Sequence, residues 1–327
     1  MQPHWKRSRI KINMKLKESL YYAKILLFGE YGIIEDSKGL SIPFNKFNGV
    51  LKLSKEGGDF AVQSNKDIQL FYVYLKDLEQ AGTLGCYFNF ERLQSDIENG
   101  LYFDSSIPQG FGVGSSGALV ASLYDAYCTD KISIEANQKG DEILLLKQTF
   151  SKLESFFHGK SSGLDPLICY LNLPVLIHSA TQLDTVGLPS PNEHGKGAIF
   201  LMDSGLPGQT QNMVSIFLEK CKQEGFRHLI KNQFKKYNDE CIEAFLKKDF
   251  KPLFHSLKQL SQLVYDNFSP MIPDNYKKVW KEGIDSNSYY LKLCGSGGGG
   301  YILGFTEDFE KAAKKLKNQQ LQVIYKF

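Results

Sequence analysis

An α+β protein of two lobes is what the chain predicts, and three observations predict it. There are 327 residues, 42% of them hydrophobic, enough for two ordinary cores. Strand-like and helix-like segments follow one another in blocks rather than in strict alternation, as in helices packed on antiparallel strands. A polar stretch bearing Gly and Pro, Gly187 to Gly197, could join two lobes near the middle of the chain.

The elements read in order as follows. Leu20 to Ile34 (LYYAKILLFGEYGII) is an apolar strand run, a Gly-Glu turn and more apolar residues. Strand signals follow at Gly49 to Leu53, Asp59 to Val62, Gly85 to Phe90 and Leu101 to Pro108. Helical patterns cover Asp67 to Ala81, Gly117 to Cys128 and Asp141 to His158. A short extended run, Pro174 to Ser179, precedes the joining stretch, and a new strand, Ala198 to Asp203, opens the second half. Helices are expected at Asn212 to Glu224, Lys235 to Lys247 and Lys251 to Asn267. The chain closes with a strand (Tyr289 to Cys294), a glycine run, a strand (Tyr301 to Phe305), a helix (Thr306 to Asn318) and a strand (Gln320 to Phe327). No internal repeat is visible.

Charge and cysteine usage exclude several classes. The formal charge is +3, but Lys6, Arg7, Arg9 and Lys11 lie in the first thirteen residues, and without them the body is one charge negative. A nucleic-acid partner is therefore not expected. The leader MQPHWKRSRIKIN is too polar for a secretory signal, and with Met14 directly after it we expect residues 1–13 to be a disordered leader. No apolar run approaches the roughly 20 residues of a membrane span. The cysteines, Cys86, Cys128, Cys169, Cys221, Cys241 and Cys294, form no C-x-x-C pair and have no histidine at metal-ligand spacing. They read as reduced thiols in a cytoplasmic protein without zinc.

Two glycine-rich loops carry the chemistry. Gly110 to Gly117 (GFGVGSSG) lies between an extended run and an apolar helical run. Gly110, Gly112 and Gly114 leave the backbone free to aim several N–H groups at one spot, and the following helix N-terminus makes that spot more positive. A phosphate is the natural occupant, although a plain turn uses the same residues. Gly112, Gly114 and Gly117 also fit the dinucleotide spacing, but Asp130 follows helix and turn residues rather than a second strand, which argues against NAD. No Lys-Ser or Lys-Thr pair follows, so a Walker loop is absent. The second loop, Gly295 to Gly300 (GSGGGG), sits between two strands and holds more glycine than a hairpin needs. It reads as a backbone that hugs a ligand or another loop, with a mobile linker as the alternative.

Between the loops lies ESFFHGKSSGLDP, Glu154 to Pro166. Asp165 can cap the next helix and Glu154 can be a solvated surface acid. Phosphoryl transfer offers the other reading: a carboxylate for a divalent cation, a group to orient the attacking hydroxyl, and a cation against developing charge. Glu154, Asp165 and Lys24 could supply the three. Lys24, alone within YYAKILLF, must find an anionic partner or snorkel from an edge strand.

In this order the segments resemble the GHMP small-molecule kinases, and most closely their mevalonate kinase branch, over Met14 to Phe327. The motifs are AKILLFGEYGII (Ala23 to Ile34), PQGFGVGSSGAL (Pro108 to Leu119) and KLCGSGGGGYIL (Lys292 to Leu303), with Glu154, His158-Gly159 and Ser162-Gly163-x-Asp165 between them. The resemblance implies a two-lobed GHMP kinase fold, with an N-terminal lobe of the ribosomal-protein-S5 second-domain type (14–196) and a ferredoxin-like C-terminal lobe (197–327). It implies ATP and Mg²⁺ as cofactors. Asp165 would be the base or orienter and Lys24 its charge partner. Glu154 and Ser116 would hold Mg²⁺, and Pro108, Gly110, Gly112, Gly114, Ser115, Ser116 and Gly117 would cradle the nucleotide. Glu30, Tyr31, Thr210, Gly297 and Gly298 would line the substrate side. The expected reaction is phosphorylation of the primary hydroxyl of mevalonate, in the service of isoprenoid synthesis, by a protein with no membrane partner that a homodimer would suit. A phosphomevalonate or sugar kinase, or a silent nucleotide-binding homologue, is the alternative.

Overall fold

The computed structural model describes residues 18–132, 140–208 and 210–327, so the 1–13 leader lies outside the described residues. Five strands make the first sheet: β1 (Tyr21–Phe28), β2 (Gly39–Leu53), β3 (Leu101–Ser105), β4 (Val175–Ile177) and β5 (Leu183–Thr185). All pair antiparallel, and the long β2 is the hub, bonded to β1, β3 and β4. The second sheet holds β6 (Ala198–Asp203), β7 (Tyr290–Leu293), β8 (Tyr301–Thr306) and β9 (Leu321–Lys326) in the order β7-β8-β6-β9. With helices joining β6 to β7 and β8 to β9, that order is the expected ferredoxin-like arrangement.

Helices cover the sheets. The first half carries α1 (Asp59–Gln80), α2 (Phe90–Glu98), α3 (Ser115–Tyr127), α4 (Gly140–His158) and α5 (Leu164–Leu171). The second half carries α6 (Thr210–Lys220), α7 (Glu224–Leu229), α8 (Lys235–Leu246), α9 (Phe250–Asn267), α10 (Asp274–Ser286) and α11 (Phe309–Lys315). Helix α3 shows why patterning alone marks an interior element. Its Ala118, Val120, Ala121, Leu123 and Tyr124 are all buried, so its apolar stripe wraps around the helix rather than along one face.

Two strand expectations fail. Asp59 to Val62 is the first turn of α1, whose buried residues Ala61, Ile68, Phe71 and Leu75 recur at helical spacing. Asp59 sits where a helix N-terminus favours an anion, while Phe60 and Val62 point to solvent. Gly85 to Phe90 forms no strand, since only Phe88 bridges, to Cys128. Helix α2 follows directly, capped by the Asn89 side chain, which accepts from the Arg92 N–H at 3.0 Å.

Candidate active site

Lys24 is fixed from both sides. Its place on β1 buries the side chain, and its backbone N–H donates 3.0 Å to the Val113 carbonyl, which ties the strand to the first glycine loop. Its Nζ reaches Oδ1 of Asp165 at 2.8 Å. Burial works against the Lys24 charge, and the Asp165 carboxylate more than restores it, leaving the ammonium above its ordinary value. The snorkelling alternative is thereby excluded. Asp165 lies in the first turn of α5, whose cap is Gly163 in a left-handed conformation (φ 73°), so its carboxylate is spent on Lys24 rather than on capping.

Glycine at 114 and 117 lets these elements meet. Gly114 has φ +83°, and a Cβ there would stand 2.9 Å from Lys24 Cγ. At Gly117 a Cβ would lie 2.7 Å from the Asp165 carbonyl carbon, so the N-terminal turns of α3 and α5 come together only because position 117 has no side chain. Ser115 and Ser116 then open α3 with its free N–H groups and positive dipole end facing the same space.

Glu154 approaches from the last turns of α4 and is buried. Its Oε1 lies 3.3 Å from Ser116 Oγ, and its other oxygen accepts from Ser161. Burial first, and then the nearby Asp165 charge, pushes its carboxyl up to about 8. The surface-acid alternative is excluded. One helical turn on, His158 Nε2 lies 3.0 Å from the same Ser116 hydroxyl, with its imidazole pushed down by burial. A cavity of about 670 Å³ opens over these groups, walled by Gly110, Gly112, Gly114, Ser115, Ser116, His158 and Asp165. Further walls come from α1, through Phe60, Gln63 and Asp67, and from Phe103, Phe156 and Phe157.

The second glycine loop packs on the first. A Cβ at Gly112 would lie 2.4 Å from the Cys294 carbonyl, and one at Gly300 would lie 2.7 Å from Phe111 Cα. The Gly208 N–H donates to Gly110 O at 2.7 Å, completing a three-segment backbone contact. Pro108 precedes the loop, just beyond β3. Gly297 and Gly298 face Met271 and Met213 and are not among the cavity walls. Glu30 and Tyr31 are likewise buried away from the cavity. Glu30 pairs with Lys292 Nζ at 2.5 Å, and Tyr31 donates its hydroxyl to the Ser296 carbonyl at 2.5 Å while stacking on Phe217. The backbone of Thr210 starts α6, and its side chain lies outside the described residues.

His158 and Lys292 were not singled out as site residues from the sequence, yet both leave a signal. Glu154 and His158 are four apart on a helix and so share a face. Lys292 is, like Lys24, a lone ammonium in an apolar strand.

No family model matches the chain, and no curated protein matches it in sequence. Solved structures do match in fold. L. major mevalonate kinase in complex with R-mevalonate is 14% identical at a TM-score of 0.60, over 94% of each chain. Lactococcus lactis galactokinase complexed with galactose is 14% identical at 0.61, over 95% of this chain and 94% of that one. Streptococcus pneumoniae phosphomevalonate kinase in complex with phosphomevalonate and AMPPNP is 13% identical at 0.59, over 95% and 99%. With two antiparallel sheets ordered as described and coverage nearly end to end, this chain has the fold of the GHMP small-molecule kinases.

Proposed function

We propose that the protein is an ATP- and Mg²⁺-dependent small-molecule kinase, and that its acceptor is the primary hydroxyl of mevalonate. The observation that carries the kinase reading is the Lys24–Asp165 pair at 2.8 Å, whose aspartate lines a cavity shared with a glycine loop and a helix N-terminus while the lysine is buried behind it. A silent binder has no use for a carboxylate held by a buried lysine beside a phosphate cradle. The acceptor rests on the mevalonate kinase resemblance of Glu154 to Asp165 and on the mevalonate kinases among the fold relatives. We likewise propose that the lobes divide between residues 196 and 197, since the first sheet draws on residues 21–185 and the second on 198–326.

The donor set suits Mg²⁺. Glu154 and Ser116 offer hard oxygen ligands, and burial and the Asp165 charge hold the Glu154 carboxyl raised despite Lys24 nearby, so a divalent cation would find a group whose charge is under-compensated. When bound with the nucleotide, the metal would neutralise charge on the phosphates.

The chain's own residues would do the rest. The loop N–H groups and the start of α3 hold the phosphates in place. Asp165, whose Oδ1 is engaged by Lys24, presents Oδ2 to the acceptor hydroxyl and takes its proton as the alcohol oxygen bonds to the γ-phosphorus and the bond to the β-phosphate oxygen breaks. Lys24 keeps that carboxylate oriented. The second loop braces the first.

An assay of ADP release with mevalonate, phosphomevalonate or galactose as acceptor tests both levels. Turnover with mevalonate is expected. Turnover only with another acceptor overturns the acceptor, and no ATP-dependent phosphorylation of any alcohol overturns the kinase reading.

A further inference from the structure

Outside the candidate active site, nucleophilic side chains gather where the loop before α2 meets the end of α3. The Asn89 N–H donates to the Tyr127 carbonyl at 2.8 Å, the Thr129 N–H donates to the Tyr87 carbonyl at 2.8 Å, and Phe88 bridges Cys128 antiparallel. Residues two apart on such a ladder share a face, so Cys86 falls on the side of Cys128. On that shared face Cys86 is near enough to act directly on the Cys128 thiol, which it holds above its ordinary range. The Cys128 thiol also donates to Asp130 Oδ1 at 3.2 Å, and the same oxygen accepts the Tyr87 N–H at 2.7 Å. Cys86 is half-buried, Cys128 is buried and Asp130 is exposed. One thiol is open to a reagent, the second waits behind it, and a fixed carboxylate is ready for the second thiol's proton.

We propose that Cys86 and Cys128 are a peroxide-oxidisable dithiol that closes to a disulfide, with Asp130 as the base for closure. In the first step the Cys86 sulfur attacks the O–O bond of a hydroperoxide. An S–O bond forms, the O–O bond breaks, and the thiol proton leaves with the departing oxygen as water or alcohol. The sulfur is oxidised by two electrons to a sulfenic acid and the peroxide is reduced. In the second step the Cys128 sulfur attacks the Cys86 sulfur, its proton passes to Asp130, the S–S bond forms, and the S–O bond breaks. The hydroxide leaves as water, taking the proton back from Asp130. The sum is two thiols and one peroxide giving one disulfide, one alcohol or water, and one water.

Cys86 and burial both hold the Cys128 thiol protonated, so the half-buried partner reacts first and the buried one resolves it. The bond would close a loop that carries α2, β3, the first glycine loop and α3. It would tie down the segment that bears the phosphate cradle, whichever reaction that cradle serves.

Peptide mass spectrometry under non-reducing conditions, after treatment of the full chain with hydrogen peroxide, tests this. We expect a linked Cys86–Cys128 pair lacking two hydrogens, reversed by dithiothreitol. Melting should rise by roughly 3–8 °C in the oxidised form. Cys128→Ser should leave Cys86 as a sulfenic acid trapped by dimedone. Asp130→Asn keeps the acceptor oxygen for Tyr87 but not the base, and should slow closure by about a hundredfold. Three results would overturn the proposal: both thiols still alkylated after treatment, Cys86 linked to another cysteine, or Cys86 of the unaltered chain carried on to sulfinic acid. The first measurement needs no variant, so a misfolded mutant does not shield the idea.

Discussion

Lys24 and Asp165 are paired at 2.8 Å, yet the lysine side chain is 4% exposed and the aspartate side chain 38%. The pair is therefore lopsided in energy. Removing the carboxylate strands a buried ammonium, whereas removing the ammonium leaves a carboxylate that water can reach. Asp165→Ala is expected to cost about 1–3 kcal/mol of stability, and Lys24→Met to stay within about 1 kcal/mol, because a similar apolar stem refills the space. Both should lower kcat by about 10²–10⁴, through loss of the proton acceptor or of its orientation. Urea unfolding alongside steady-state kinetics reads the two effects separately. A lysine variant less stable than the aspartate variant would contradict the lopsided pair.

Glu154 gives a pH dependence whose sign is fixed. Its carboxyl stands at about 8 in the folded chain against an ordinary 4.5. An acid raised on folding favours the native state fully below the unfolded value, and that contribution disappears as pH climbs through the folded one. Between about pH 4.5 and 8 this group should therefore withdraw on the order of a few kcal/mol. Glu154→Gln keeps the shape and cannot ionise, so its melting temperature should overtake that of the unaltered chain as pH rises. If Glu154 holds Mg²⁺ as proposed, the affinity for nucleotide with Mg²⁺ should strengthen over the same window. Parallel melting curves for the two chains across the range would count against the raised carboxyl.

Glu30 and Lys292 form a second ion pair, between the end of β1 and the strand β7 of the other sheet, with both side chains at most 3% exposed. Lys292 also lies 5.6 Å from the centre of the Phe28 ring. Breaking a buried pair on one side leaves an uncompensated charge, so Lys292→Met should cost about 3–5 kcal/mol. Adding Glu30→Gln to it should recover most of that loss, because neither partner is then charged. Chemical denaturation of the two single variants and the double variant closes the cycle. An additive double variant would mean the residues do not interact.

Much of this was legible in the chain, for reasons that differ by residue. The lone lysine in YYAKILLF pointed to a buried partner or to an edge strand from which it snorkels, and Asp165 at 2.8 Å decides for the first. Residues 110 to 117 could be read as a phosphate cradle or as a plain turn, and the structure adds that Gly114 and Gly117 admit Lys24 and Asp165. What the sequence concealed was long-range. Glu30 and Tyr31 look like open site residues beside Gly29, but Lys292 and Ser296, some 260 positions away, absorb them. The start of α1 misread as strand because Phe60, Val62, Leu70 and Val73 are apolar and exposed, blurring the helical stripe. Helix α2 went unseen because residues 85–90 look extended, and its Asn89 cap shows only in the structure.

Gly112 tests whether the two glycine loops act as one unit. Its φ of +76° disfavours any side chain, and a Cβ would meet the Cys294 carbonyl oxygen at 2.4 Å, so the strain has both a backbone and a contact source. The neighbour is the backbone that begins the second loop, which is itself anchored by the Tyr301 N–H on Phe111 O at 3.3 Å and cannot yield without loosening both turns. Gly112→Ala should therefore cost about 2–4 kcal/mol and weaken a non-hydrolysable ATP analogue by about tenfold or more. Gly58→Ala is the control: its φ is −64° and a Cβ there meets nothing within 4 Å, so a change of a few tenths of a kcal/mol is expected. Thermal melts and calorimetric titration of the two variants separate the outcomes. If Gly112→Ala lost stability while binding the analogue unchanged, the second loop would brace the fold without shaping the phosphate site.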